Sequence, residues 1–148
     1  MPAATGTVQI YAAGLQKWQR GLIPIQDAGC FKALLVDSDY VPDLEAHTDL
    51  TDITNETYGD SWPQGGVALT GVDVDLDVAN NRVELTADAI SVTPASVLDG
   101  KMLVIYHDLP VADVDKTLFA VVTFTTALNP SYGPIAIAAP NGVFRTGY

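Results

Sequence analysis

From Val72 to Val78 the chain alternates, with Val72, Val74, Leu76 and Val78 separated by Asp73, Asp75 and Asp77. A period of two belongs to a strand with one face covered and the other wet. Asn80-Asn81 follows, and asparagine tolerates the positive φ of a tight turn. Val83 and Leu85 then resume the alternation. A two-residue loop at Asn80-Asn81 sets Val78 opposite Val83, Leu76 opposite Leu85 and Val74 opposite Ala87. The apolar side chains share one face, and Asp73, Asp75, Asp77, Glu84 and Asp88 share the other. A slip by one residue would invert both faces. The expectation is a hairpin that seals a core on one side and shows acid on the other.

Elsewhere the period changes. Tyr11, Leu15, Trp18 and Leu22 form one helical stripe, which predicts a helix over about residues 8–20 with Thr7 as N-cap and Gly21 before Pro24 as the stop. Continuous apolar runs predict strands at Phe31 to Val36, Met102 to Tyr106 and Leu118 to Thr125. Between Tyr40 and Gly66 lies a long connection rich in Asp, Thr, Gly and Pro, with one helical turn expected over Thr48 to Ile53, capped by Thr48. Connections of that length are functional or packed as an Ω-loop. Ser91 to Gly100 reads as irregular around Pro94, and an acidic loop holds Asp108, Asp113 and Asp115. Ile135 to Ala139 and Val143 to Thr146 flank Pro140-Asn141-Gly142, a last hairpin signal. About seven short strands with frequent turns predict an all-β fold, a β-sandwich or jelly roll with a short N-terminal helix. The expected division is an N-terminal arm with the helix over 1–30 and a β-sandwich domain over 31–148.

Composition narrows the function classes. At 148 residues, 48% of them hydrophobic, the chain can bury a core of its own. Its apolar runs fall short of a membrane helix, and its first residues lack the charged and apolar regions of a signal peptide. A single cysteine, Cys30, excludes an internal disulfide. The net charge of −11 excludes a basic nucleic-acid footprint. The charge is also uneven. Lys17, Arg20 and Lys32 against Asp27 give the first 32 residues +3 − 1 = +2, and the remainder holds four basic and seventeen acidic residues, −13. Such asymmetry marks a detachable arm or an orienting surface, and the alternative is acidity that serves solubility.

The acidic hairpin raises the question of a metal. Asp73, Asp75, Asp77 and Glu84 fall at positions 1, 3, 5 and 12 of a helix–loop–helix calcium loop, but Val78 stands where that loop needs glycine, and the flanks are strands. A solvated acidic face, or one turned to a partner, fits the residues better. His47 and His107 have no spacing that selects a metal or general base, and Cys30 beside Phe31 reads as a buried thiol. No phosphate loop, serine elbow or dinucleotide turn is present. The expectation is a non-enzyme with no catalytic residues, cofactor or metal.

A set of ordered motifs adds to this. Lys32-Ala33-Leu34-Leu35 leads to Tyr40-Val41-Pro42-Asp43 with His47, then Asp52-Ile53 and Glu56. Gly65-Gly66-Val67-Ala68-Leu69, Asn81-Arg82-Val83, Ala87-Asp88, Val104-Ile105-Tyr106 and Phe124 follow. Over about residues 32–124 this order resembles a family of small virion structural proteins of tailed bacteriophages, similar to capsid decoration (cement) proteins. Thr125 replaces the family's usual glycine, and residues 125–134 depart from its pattern. The resemblance implies a non-enzymatic protein at the capsid surface of the virion, made in the bacterial host cytoplasm. It would bind and stabilise the shell of the major capsid protein as a homo-oligomer, a dimer or trimer, without contacting nucleic acid or membrane. Candidate interface residues are Trp18 and Arg20 in the N-terminal segment and the loop aromatics Tyr40, Tyr58 and Trp62, since aromatic and Arg anchors dominate interfaces; the alternative for Tyr40 and Trp62 is that they plug the edge of the core. A tail or neck position is the alternative within that class. Outside it, a carbohydrate-binding β-sandwich would stack sugars on Trp18, Tyr58 and Trp62, and a metal-dependent hydrolase would need His47 or His107 beside carboxylates.

Overall fold

The computed structural model describes residues 6–23, 30–59, 62–88, 90, 100–108, 116–128 and 144–147. Its strands are β1 (Gly6–Ile10), β2 (Phe31–Val36), β3 (Glu56–Thr57), β4 (Val67–Ala68), β5 (Asp73–Asp77), β6 (Arg82–Thr86), β7 (Gly100–His107), β8 (Leu118–Leu128) and β9 (Phe144–Gly147). One helix, α1, covers Ala12–Gln19. The strands form two antiparallel sheets, one of six strands in the order β1-β8-β7-β2-β3 with β4 also on β2, and one of three in the order β5-β6-β9. This is an all-β sandwich with a short N-terminal helix, its two sheets holding six and three strands among the described residues.

The largely apolar runs of β2, β7 and β8 have a direct cause, which is that both faces of the large sheet are covered. Phe31, Ala33, Leu35, Leu103, Ile105, Ala120, Val122 and Phe124 point to one side, where Leu85 of the small sheet and Ala87 just after β6 meet them. Leu34, Val36, Met102, Val104 and Val121 point to the other, where Tyr11 and Tyr40 join them and Leu44, Leu50 and Ile53 from the long connection close the cover. The 40–66 connection is therefore the second wall of the core, with its own backbone tied to the sheet. Leu50 N–H bonds Lys116 O at 3.0 Å, and Leu118 N–H bonds Thr48 O at 3.0 Å. Its single helical turn is a 3₁₀ turn over Leu50–Asp52, with Asp49 as the cap in place of Thr48. Asp49 accepts from Thr51 N–H, and Asp52 reaches back to the N–H groups of Thr48 and Asp49, which is a reciprocal capping box.

The N-terminal segment differs from expectation. Residues 8–10 are strand, not helix, because Val8 and Ile10 alternate inward against the core while β1 pairs with β8 over five residues. Thr7 thus lies within β1, and α1 begins after Tyr11 without a side-chain cap. From residue 6 onward this segment is an edge strand of the sheet. Gly21, at φ +73°, ends the helix as expected, and Leu22 N–H closes back on Lys17 O at 2.9 Å. Gly14 is fixed by contact. A Cβ there would lie 2.7 Å from Phe119 Cα, so only glycine lets α1 settle on β8. A bulge in β8 places Phe119 beside Ala120 on that same core face, under the helix.

The hairpin keeps its faces but changes its register. Asp77 accepts from Asn80 N–H at 3.3 Å and Asn80 Nδ2 at 2.8 Å, so Val78–Asn80 wind into a 3₁₀ turn and Asn81 takes φ +51°. The loop therefore absorbs four residues, and pairing shifts by two, to Val74 with Leu85 and Leu76 with Val83. A shift of two preserves which side each residue faces. Coverage is another matter. Leu85 is 1% exposed, but Val74, Leu76 and Val78 are 36%, 63% and 65% exposed, and Glu84, on the face expected to be wet, is buried. Only β6 seals the core, and β5 overhangs it.

Residues 91–99, Asp113, Asp115 and the 135–143 turn region lie outside the described residues, whereas the strand expected over Val143 to Thr146 is present as β9.

Candidate functional site

The polar groups of the long connection converge on its two buried or half-buried rings. Tyr40 ends the turn after β2, and its hydroxyl lies 2.8 Å from the Tyr11 hydroxyl and 3.0 Å from His47 Nδ1. Asp43 N–H donates to the same His47 Nδ1 at 3.2 Å. A backbone N–H can only donate, so Nδ1 is the acceptor and the ring proton sits on Nε2. The Tyr40 hydroxyl then donates to His47, and the Tyr11 hydroxyl donates to Tyr40. The Tyr40 and His47 rings stack at 5.7 Å.

The electrostatics follow. Burial, and after it the hydrogen bond to Tyr40, pushes the Tyr11 phenol far above its ordinary range. Burial also raises Tyr40, opposed by its bond to Tyr11 and reinforced by the charges of Asp52 and Asp43. Asp43 is held below the usual carboxylate value by the N–H groups of Ala46 and Glu45, and Asp52 by those of Thr48 and Asp49. Each of these interactions holds the connection in place. The Y-x-P-D-x-x-x-H stretch is a stapled wall.

A second polar cluster lies at the far end of β2, signalled in the sequence only by a lysine inside an apolar strand. Asp108, just past β7, binds Lys32 Nζ at 3.0 Å and also Lys116 Nζ. Lys116 stands over the Tyr106 ring at 5.9 Å, and the Tyr106 hydroxyl donates to Gly65 O at 2.6 Å. Gly66 beside it, at φ +83°, passes so close to β2 that a Cβ would lie 2.8 Å from Leu34 Cα.

The five interface candidates separate. Arg20 is exposed, and Tyr58 is 52% exposed. Trp18 is half-buried and meets Phe119 edge-on at 6.4 Å. Tyr40 and Trp62 are 1% and 0% exposed and offer a partner no surface, because Tyr40 packs on the sheet face under the connection and Trp62 on the opposite face, in the core with Leu85 and Ala87. The sugar-stacking trio of Trp18, Tyr58 and Trp62 is likewise not presented together, since Trp62 is enclosed. His107 is buried edge-on to Phe31 at 5.9 Å, away from the His47 staple, and Cys30 is a buried thiol. Among the described residues no three His, Cys, Asp or Glu side chains converge as a metal site, Asp73, Asp75, Asp77 and Glu84 included.

What the surface does present is the overhanging hairpin, with its exposed aliphatic face on β5 and aspartates on the reverse. Among the described residues no helix is long and apolar enough to cross a membrane. Comparison with protein-family models, with curated proteins and with solved structures found no match for this chain.

Proposed function

We propose that this protein is a non-enzymatic structural component of a tailed-bacteriophage virion. In this reading it is a decoration protein that binds the outer shell of the major capsid protein as a small homo-oligomer. One observation carries most of the support. The residues on which the resemblance rests are the ones that hold the scaffold together. Lys32 to Leu35 form the middle of β2, between β7 and the β3 and β4 edges. Tyr40, Asp43 and His47 staple the second wall of the core. Gly66 permits the close crossing over β2, and Val104-Ile105-Tyr106 is the β7 stretch paired with it. A rigid frame that carries exposed loops suits a protein whose task is to sit on a lattice, where many weak contacts add up.

The reading is tested by quantitative mass spectrometry of purified virions that carry this gene product. A copy number comparable to that of the major capsid protein is expected. A handful of copies per particle would move the protein to the tail or neck, and absence from washed virions would overturn the structural reading altogether.

A further inference from the structure

We propose that His47 is a proton-operated latch: when its imidazole takes a second proton in mild acid, the turn over Asp43 to His47 opens and loosens its hold on the start of α1. The ring performs a task that only a neutral ring performs. Its Nδ1 accepts from the Tyr40 hydroxyl at 3.0 Å and from Asp43 N–H at 3.2 Å. A hydroxyl can rotate its proton away, but a backbone N–H cannot, so a proton on Nδ1 would face a proton. The turn is built around that bond. Asp43 caps it by accepting from Glu45 N–H at 3.1 Å and Ala46 N–H at 2.9 Å, and His47 N–H closes it on Asp43 O at 3.0 Å. The His47 ring then reaches back to the capping residue's own N–H, the service that a glutamate performs in a capping box. Imidazoles titrate between about pH 5 and pH 8, so a histidine in that role makes the cap conditional on mild acid.

The same turn holds α1, which begins without a side-chain cap. Ala12 N–H, the first of the helix, donates to Leu44 O at 2.8 Å, inside the turn. Beside it the Tyr11 hydroxyl meets Tyr40 at 2.8 Å. Both attachments of the helix start therefore run through residues 40–47.

The charges around the ring keep the second state local. The carboxylates of Asp43 and Asp52 lie near enough for the charge of His47 to act on them. The connection also brings Glu45, which is exposed, and Asp49, which accepts from Thr51 N–H. From the β1–α1 side come Tyr11, behind Tyr40, and Lys17, whose Nζ donates to Thr117 Oγ1 at 3.0 Å. From the start of β8 comes Lys116, which pairs with Asp108. An imidazolium is thus attracted by two carboxylates of its own turn while it expels the amide it held. The ring changes from acceptor to donor and stays beside the turn, so the cap opens without unfolding the sheet. The latch depends on this network alone and stands whether or not the chain sits on a capsid.

The test is a magnetic-resonance titration of the full-length chain, labelled with nitrogen-15, from about pH 8 to about pH 5. At the upper end the His47 ring should show a bare, hydrogen-bonded Nδ1 and a protonated Nε2. As the ring takes its second proton, the Asp43 amide should shift with the same midpoint. Protection of the Ala12 amide, corrected for the pH dependence of exchange itself, should fall about three- to tenfold, the factor carried by one hydrogen bond. Amides of β7 and β8 should stay unshifted. His47→Asn offers an acceptor oxygen near the place of Nδ1 and cannot be protonated there. It should hold the Asp43 and Ala12 amides constant across the range, and it separates the His47 ring signals from those of His107. An Asp43 or Ala12 amide that ignores the titration of the ring would overturn the proposal. So would an Nδ1 already protonated at the upper end, a ring still neutral at about pH 5, or a His47→Asn chain that responds as wild type does.

Discussion

The phenol oxygens of Tyr11 and Tyr40 meet at 2.8 Å in the interior, joining the β1–α1 junction to the far wall of the core. Neither hydroxyl can lose its proton cheaply there, since burial raises both. The unfolded chain releases these protons near the ordinary tyrosine value of 10.0, whereas the fold retains them. Above that pH the unfolded state binds fewer protons than the folded one, so stability falls as pH rises. Below it the contribution is fully present. Each buried tyrosine should add a slope of about 1.4 kcal/mol per pH unit between its unfolded and folded values. Urea midpoints measured at about pH 8 and about pH 11 should therefore drop steeply, and Tyr11→Phe should flatten the drop. A midpoint that ignores pH across this range would show that the pair is wet.

Tyr40→Phe probes the same staple near neutral pH. It takes the acceptor from the Tyr11 hydroxyl and leaves His47 Nδ1 with the Asp43 N–H alone, so a loss of about 1–3 kcal/mol is expected. His47→Ala should act on the same network, and the double variant should cost less than the sum of the two single ones. Strict additivity in denaturant titrations would mean that the two contacts are independent.

Gly14→Ala decides between two opposed effects. In an isolated helix alanine gains about 1 kcal/mol over glycine. Here the new methyl meets the Leu118 carbonyl and lies 2.7 Å from Phe119 Cα, contacts that require backbone to move. Overpacking of that kind typically costs about 1–3 kcal/mol, so the net change should be destabilising. A raised melting temperature would place α1 farther from β8.

What was legible in the chain follows from where coverage came from. β2, β7 and β8 were readable because a strand buried on both faces needs apolar residues at every position. β1 was hidden by the stripe through Tyr11, Leu15 and Trp18, which extended the helix backward over Val8 and Ile10, although those two residues alternate on their own. The inward turn of Tyr40 and Trp62 was not readable, because an aromatic ring in a polar loop has the same sequence signature whether the loop folds over a sheet or projects from it. The hairpin shows the limit most plainly. Its periodicity assigned Leu76 and Leu85 to one face correctly, yet no period states how far a neighbouring layer extends beneath that face.

The capping of the second wall should fail in acid. Asp43 and Asp52 are held ionised by backbone N–H groups, with values below the ordinary 3.8. Their contribution is present above the unfolded value and is lost as pH falls through the depressed folded one. Amide exchange at Ala46, Thr48 and Asp49 should accelerate in that window before the core strands open. Asp52→Ala should bring the same acceleration at Thr48 and Asp49 near neutral pH, where exchange rates unaltered from wild type would rule out the capping box.

Leu85 and Leu76 give the sharpest contrast in the molecule, since they stand on one face of one hairpin with opposite coverage. Leu85 is enclosed by the core of the large sheet, and its truncation to alanine should cost about 2–5 kcal/mol, transfer and cavity together. Leu76, 63% exposed, has little burial to lose, and Leu76→Ala should fall within about 0.5 kcal/mol of wild type. Thermal or urea unfolding of the two single variants decides the matter. Comparable large losses would mean that something covers β5 in solution. With Leu76→Ala neutral and Leu85→Ala costly, the aliphatic row on β5 contributes little to the stability of the fold, and the hairpin is held to the core through β6 alone of its two strands.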